Sequence, residues 1–261
     1  MRRLIGFACE GSTLAGTLDE APGTTGLLIV SGGNEVRAGT HRGMAMLALR
    51  VAASGIPVLR FDRRGIGDSE GPNGGWETSQ AEIGAAVRTF HRELPHVSRV
   101  VALGNCDAAT ALACFGRSAG IDALILTNPW TGEDMDGLPP AAAIRRRYRE
   151  RLTDGRFWRK ALRGGIDFPA FIKGLRKVIA TPPEPLAGRM AGALQRFAGP
   201  VTIILATGDA TAIGFRACWT GTTFGALRAR ASVMEIATTS HSFQHPADTA
   251  ALERAVLAAL D

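Results

Sequence analysis

Lysine is almost missing from this chain: of 30 Lys and Arg residues only Lys160, Lys173 and Lys177 are lysine. A GC-rich genome gives the same bias, so no function follows from it. No apolar run reaches the roughly 18 residues that a membrane span needs, so no span is expected. The basic start MRRLIGFACEGS holds an apolar run too short for a signal peptide, and Glu10 follows at once. The four cysteines, Cys9, Cys106, Cys114 and Cys218, form no CxxC and no Cys/His pair at ligand spacing. That argues against a zinc site and against a disulfide framework, and a reduced, cytoplasmic setting is expected. The glycine-rich FDRRGIGDSEG at 61–71 has no Walker lysine after it and no GxGxxG within it, which argues against nucleotide binding. No repeat and no low-complexity tract occurs. No metal, cofactor or nucleic-acid partner is expected.

What is present fits one α/β domain with room for an insertion: 261 residues, 46% apolar and 21% charged. The net charge of +6 is unevenly spread. Residues 141–178 carry twelve basic and three acidic side chains, a net of +9, which leaves the remainder at −3. Such a stretch either steers an acidic ligand or forms a solvated helix face.

Apolar runs of strand length fall at residues 4–9, 13–18, 26–31, 57–61, 99–103, 123–127, 201–206 and 232–236. Helical periodicity fills 40–53, 77–92, 107–117, 215–230 and 247–260. Glu10-Gly11-Ser12 suits a hairpin between the first two strands. The later alternation predicts a mostly parallel sheet with helices on both faces. Residues 131–197 break the pattern, with acidic TGEDMDGLPP at one end, TPPEP at 181–185, and basic helical stretches between. They read as a helical cap inserted into a core of 1–130 and 198–261.

Such a sheet sets its working groups on the loops at the carboxyl ends of its strands. Past residues 99–103 comes Gly104-Asn105-Cys106-Asp107-Ala108; past 201–206, Thr207-Gly208-Asp209; past 232–236, Thr238-Thr239-Ser240-His241. Nucleophile, acid and histidine thus follow in the order of the α/β-hydrolase arrangement. A nucleophile between strand and helix sits on a tight turn, so small residues must stand two positions to either side; Gly104 and Ala108 do. The Asp107 N–H opens a helix, where it can bind an oxyanion and favour a thiolate. A second oxyanion donor is expected from Ser31-Gly32-Gly33-Asn34-Glu35, with Gly33 first and Asn34 second.

On SGGNEVRAGTHR at 31–42, FDRRGIGDSEG at 61–71, GNCDAA at 104–109, TNPW at 127–130 and RRRYRERLTDGRFWRKALRGG at 145–165, the chain resembles the α/β-hydrolase superfamily over almost its whole length. Within it, the chain resembles the exosortase A system-associated hydrolase 1 family of bacterial exopolysaccharide and protein-sorting gene clusters. The resemblance implies an α/β-hydrolase fold with a cap, an acyl hydrolase or transferase activity, and cysteine as the elbow residue, which Cys106 matches. Asn34 and Glu35 depart from the Pro and Gln of the family's pattern.

Each candidate has a plainer reading. Cys106 is otherwise one more buried cysteine, the reading given to Cys9, Cys114 and Cys218. His241 competes with His245, which stands before Pro246 at the start of the last helix. Asp209 is otherwise a turn residue or helix cap, with Glu133 or Asp134 as the alternative acid. Asp62 and Asp68 read as parts of a structural Gly-rich turn, Asp68 as a cap. His91 and His96 read as surface residues. His41, Trp130, Tyr148 and Trp158 are pocket candidates, with packing the plainer role for the aromatics. The expected function is a Cys106–His241–Asp209 acyl hydrolase, esterase or thioesterase in kind, acting through an acyl-thioester. Its substrate would be a small molecule or an acyl group on a glycan or lipid, an anionic one suiting the basic stretch. The alternatives are an acyltransferase to a glycan or lipid-linked acceptor and a non-catalytic ligand-binding fold-mate.

Overall fold

The computed structural model describes residues 1–132 and 185–261. Its strands are β1 (Arg2–Cys9), β2 (Ser12–Asp19), β3 (Thr25–Val30), β4 (Val58–Phe61), β5 (Arg99–Asn105), β6 (Ala123–Thr127), β7 (Val201–Ala206) and β8 (Ala231–Ile236). They form one sheet in the order β1-β2-β4-β3-β5-β6-β7-β8. The hairpin β1–β2 and the pair β2–β4 are antiparallel, and every later pair is parallel. From β3 the chain goes to β4 on one side and then to β5 on the other. The loops leaving β3 and β5 therefore part, and this reversal is where an open parallel sheet presents its crevice.

The described helices are α1 (Gly43–Ala53), α2 (Gln80–Glu93), α3 (Asp107–Phe115), α4 (Leu186–Arg196), α5 (Ala210–Thr220), α6 (Gly225–Arg228) and α7 (Pro246–Leu260). Alternate residues of each strand feed two cores, as the twofold repeat of a strand requires. Leu28, Val30, Val100, Ala102, Leu124 and Leu126 join α2, α3, α4 and α5 on one face. Leu27, Ile29, Val101, Leu103, Ile125 and Ile204 join α1 and α7 on the other.

Several element ends shift by one to three residues from the sequence reading, and three differences are larger. The helix expected over 215–230 starts earlier, at Ala210, because Asp209 caps it, and it breaks after Thr220. A separate turn, α6, follows Gly221-Thr222-Thr223-Phe224, where a glycine and two β-branched threonines weaken the helix. Residues 40–53 form a short 3-10 turn, Thr40–Arg42, and then α1, because His41 and Arg42 both hold positive φ. Helix α4 belongs with the compact unit of Met1–Thr131 and Leu186–Asp261, although the expected cap ran to 197. Its Ala187, Met190, Ala191 and Leu194 recur at i, i+3, i+4 and i+7 and are buried in the first core. Residues 133–184 of the expected insertion, with Glu133, Asp134, Tyr148, Trp158 and the basic stretch 141–178, lie outside the described residues. No described helix is long and apolar enough to cross a membrane.

Candidate active site

Cys106 stands between β5 and α3 with φ 58° and ψ −123°, a conformation that a residue with a side chain rarely adopts. Neighbouring backbone holds the turn. The Cys106 N–H donates to Thr127 O (3.1 Å), and Cys106 O accepts from the N–H groups of Thr110 (3.2 Å) and Trp130 (3.3 Å). Gly104 is required for close approach: a Cβ there would stand 2.7 Å from the Ala108 carbonyl carbon. The small residues two positions to either side of Cys106 thus meet each other, as the elbow demands.

The acid and the histidine meet as well. His241 Nδ1 lies 3.0 Å from Asp209 Oδ2, with 37% of the His241 side chain exposed and 9% of the Asp209 side chain. The same Oδ2 accepts from the Ala212 N–H (3.0 Å) at the start of α5, so Asp209 is both helix cap and histidine partner. The cap fixes one carboxylate oxygen, and that fixed oxygen orients the ring. The loops before the two residues are pinned to each other by the Gly208 N–H on Thr238 O (2.9 Å). A Cβ on Gly208 would press within 2.7 Å of the Thr239 methyl carbon. His245, the competitor, is exposed at the N-terminus of α7, where it precedes Pro246.

Cys106 and His241 form no hydrogen bond with each other among the described residues. A side-chain amide lies between their loops: Asn105 Nδ2, on the residue before Cys106, donates to His241 O (3.3 Å).

The loop after β3 lies against the elbow. A Cβ on Gly32 would stand 2.5 Å from Asn105 O. Gly33 has φ 53°, and its N–H donates to the Asp107 side chain at Oδ1 (2.5 Å). Gly33 O in turn accepts from the Arg63 guanidinium, which pairs with Asp107 Oδ2 at 3.6 Å while its side chain is 4% exposed. The first expected oxyanion donor is thus occupied by the protein's own carboxylate. The Asn34 N–H, the second, has no acceptor among the described residues, and the Asn34 side chain accepts from Asn73 Nδ2 (2.9 Å).

The thiol departs from the sequence expectation. Burial, followed by the charge of Asp107, pushes Cys106 up to about 11; the Asp107 N–H opposes this, and Asp209 and Glu35 add to it. The helix N-terminus favours the thiolate, but desolvation and three nearby carboxylates outweigh it. The resting group at neutral pH is the thiol.

Cys9 is buried in the first core, and Cys114 and Cys218 pack against it. Cys114 is also pushed up to about 11, by burial. Trp130 packs edge-on to Trp76 (6.5 Å) and its carbonyl accepts from Thr110 Oγ1 (2.6 Å), so it braces the elbow. His41 is exposed. His91 and His96 each bond a backbone carbonyl, Val97 O and Ala21 O. Gly65 and Gly67 hold the positive φ expected of the turn at 61–71. Asp62 is its buried centre, accepting from the Arg37 N–H (2.5 Å) and the Asp68 N–H (3.1 Å). Asp68 is not a cap: its carboxylate pairs with Arg37 at 2.9 Å, because the turn brings it over the same guanidinium that Asp62 holds. No group of three His, Cys, Asp or Glu side chains is placed to hold a metal among the described residues.

The sequence reading missed the side-chain roles of Asn105, Asp107, Arg63 and Asn128, whose Nδ2 also donates to His241 O (3.1 Å). All four stand in the motifs GNCDAA, FDRRGIGDSEG and TNPW. An Asn before Pro at a strand's end was the one readable signal.

Solved structures share the fold over nearly the whole chain. A thioesterase domain from a curacin biosynthetic pathway superposes with a TM-score of 0.63 at 15% identity, covering 99% of each chain. An esterase from Pyrococcus furiosus gives 0.64 at 13%, covering 100% of this chain and 91% of its own. Est1E from Butyrivibrio proteoclasticus, with ferulic acid bound, gives 0.61 at 18%, covering 98% and 99%. No curated protein matches the sequence. Residues 27–252 match the sequence model described as Alpha/beta hydrolase family. The chain therefore belongs to the alpha/beta hydrolase family.

Proposed function

We propose that this hydrolase cleaves esters or thioesters with Cys106 as nucleophile, His241 as base and Asp209 as the group that orients the histidine. The observation that carries the reading is the backbone of Cys106. A non-glycine residue at φ 58°, ψ −123° costs about 1–3 kcal/mol, and such strain is kept where it aims a working group. Here it aims a thiol out of a strand-to-helix turn, one residue from an amide bonded to His241.

With the resting sulfur protonated, attack and deprotonation are coupled. His241 Nε2 takes the thiol proton as sulfur bonds the acyl carbon, and Asp209 steadies the imidazolium. The Asp107 N–H, with Asn34 or a released Gly33 N–H, holds the oxyanion. The carbonyl re-forms, the leaving oxygen or sulfur departs with the proton from His241, and an acyl-thioester remains. Water then gives a proton to His241, adds to the thioester and expels the sulfur, which recovers a proton. A thiolate leaves more readily than an alkoxide, so activated acyl groups (thioesters, lactones, aryl esters) suit this site best. The resemblance of the motifs to exosortase-associated hydrolases favours acyl groups of exopolysaccharide-related metabolism as the substrate class of this proposal. Four cysteines with no CxxC and no Cys/His pair at ligand spacing accord with a reduced, cytoplasmic setting.

The test is intact-mass and peptide analysis after incubation with p-nitrophenyl acetate. An acetyl group on Cys106, absent from Cys106→Ala and slow to form in His241→Ala, is the expected result. Faster deacylation with an amine or glycan acceptor than with water assigns transfer rather than hydrolysis. No acylation of any thiol, with ester and thioester panels unhydrolysed, leaves a ligand-binding fold-mate and overturns the proposal.

A further inference from the structure

We infer that Asn128, together with Asn105, is a positioning residue for His241: two side-chain amides grip its carbonyl oxygen and fix the ring against Asp209. The inference rests on the Cys106–His241–Asp209 reading and adds to it what sets the histidine's place.

Asn128 follows β6 and is 0% exposed. Its Nδ2 donates to His241 O (3.1 Å) and to Asn105 Oδ1 (3.3 Å), and its Oδ1 accepts from the Ala206 N–H (2.8 Å). Asn105 completes the clamp: Nδ2 donates to the same His241 O (3.3 Å), and Oδ1 accepts from Thr127 Oγ1 (3.0 Å). The amide of Asn128 has only one sensible orientation. A backbone N–H faces one end and a backbone C=O the other, and neither can exchange roles. One side chain thus ties the ends of β6 and β7 to the histidine loop, and its neighbour ties in the elbow.

The residue type follows from the position. Asn128 holds φ 41°, a left-handed conformation that asparagine tolerates better than most residues. It must donate on one side and accept on the other. Aspartate would set a charged oxygen against His241 O and Asn105 Oδ1; leucine would leave the buried Ala206 N–H without its acceptor, at a cost of about 1–3 kcal/mol, and would take one of two donors from each of His241 O and Asn105 Oδ1. A fully bonded buried amide of this kind makes a loop rigid, and a loop misplaced by about 1 Å costs an enzyme on the order of 100-fold in rate.

The decisive variants are Asn128→Gly, which keeps the positive φ while deleting the amide, and Asn105→Ala, at a half-buried position where folding is less at risk. Two readouts are taken on folded protein. One is the downfield proton resonance of the His241 Nδ1–H bonded to Asp209, identified by its disappearance in His241→Gln. The other is the rate of Cys106 acylation by p-nitrophenyl acetate, with its pH profile. Each variant should lose or broaden the resonance. Each should slow acylation by about 10- to 100-fold at unchanged substrate saturation, with a displaced acidic limb. The double variant should lose less than the two single losses combined, because both amides hold one oxygen. A resonance unmoved in both variants, or absent from the wild type, overturns the inference whatever the activity. If the wild type shows the resonance but acylates nothing, the enzymatic reading fails, and the resonance alone still decides the positioning role.

Discussion

At the scale of single residues, the least expected feature is Asp107. The sequence presents it as a backbone donor beside Cys106. The structure adds a side chain that fills the Gly33 N–H and pairs with buried Arg63. That carboxylate is the second cause, after burial, of the high position of the Cys106 thiol, and an anion there competes with the negative charge that develops on a substrate oxygen. Asp107→Asn keeps the backbone N–H and an oxygen for Gly33 while removing the charge. Its Cys106 should be alkylated by iodoacetamide with a pH midpoint below the wild-type value of about 11, and its acylation by p-nitrophenyl acetate at neutral pH should be faster. The variant also leaves Arg63 without its ion pair, so a lower melting temperature is expected alongside. An alkylation midpoint that stays at the wild-type value would show that the carboxylate does not act on the sulfur.

At the scale of elements, the elbow depends on two chain segments lying closer than any side chain permits. A Cβ on Gly104 would meet the Ala108 backbone at 2.7 to 2.9 Å, and no flexible side-chain end is there to yield. Gly104→Ala should therefore force β5 and α3 apart. The expected cost is about 1–3 kcal/mol of stability, in the range of overpacking, read from denaturant midpoints. Loss of Cys106 acylation should accompany it, while α1 and α7 on the opposite face keep their hydrogen-exchange protection. An unchanged midpoint with full acylation contradicts the close approach. This element was legible beforehand because its signals are local: a buried run, a glycine, a small residue four further on, and helical periodicity. The same holds for the strands and for the chain order of Cys106, Asp209 and His241. What was not legible depends on tertiary distance. Gly33 reads as a free donor until Asp107, 74 residues away, is folded against it. Asn128 is only one letter of the TNPW motif until the ends of β6 and β7 and the histidine loop come together around it. The early start of α5 is readable in principle, since Asp209 is a common capping type, but the sequence sets cap and histidine partner as rivals, whereas one oxygen both caps α5 and meets the His241 ring.

At the scale of the whole molecule, the scarcity of lysine has a measurable consequence. Arginine stays charged through the alkaline range, and the chain has three lysines and one tyrosine, so few side chains other than thiols titrate between pH 9 and 11. Burial pushes both Cys106 and Cys114 from 9.0 up to about 11 in the folded protein. Below pH 9 folded and unfolded chains both keep these protons, and the thiols favour neither state. As pH rises from 9 toward 11 the unfolded chain ionises first and binds fewer protons, so unfolding becomes easier. Above about 11 the folded thiols ionise too and the loss levels off. The melting temperature should accordingly fall across this window. The fall should be shallower in Cys114→Ala and in Cys106→Ala than in the wild type, and shallowest when both are combined. What is compared is the slope against pH, not the absolute melting temperature, because truncating a partly buried thiol costs some stability at every pH. Parallel slopes in all four proteins would mean that the thiols are solvated and that the Cys106 elbow is open to water in the folded state.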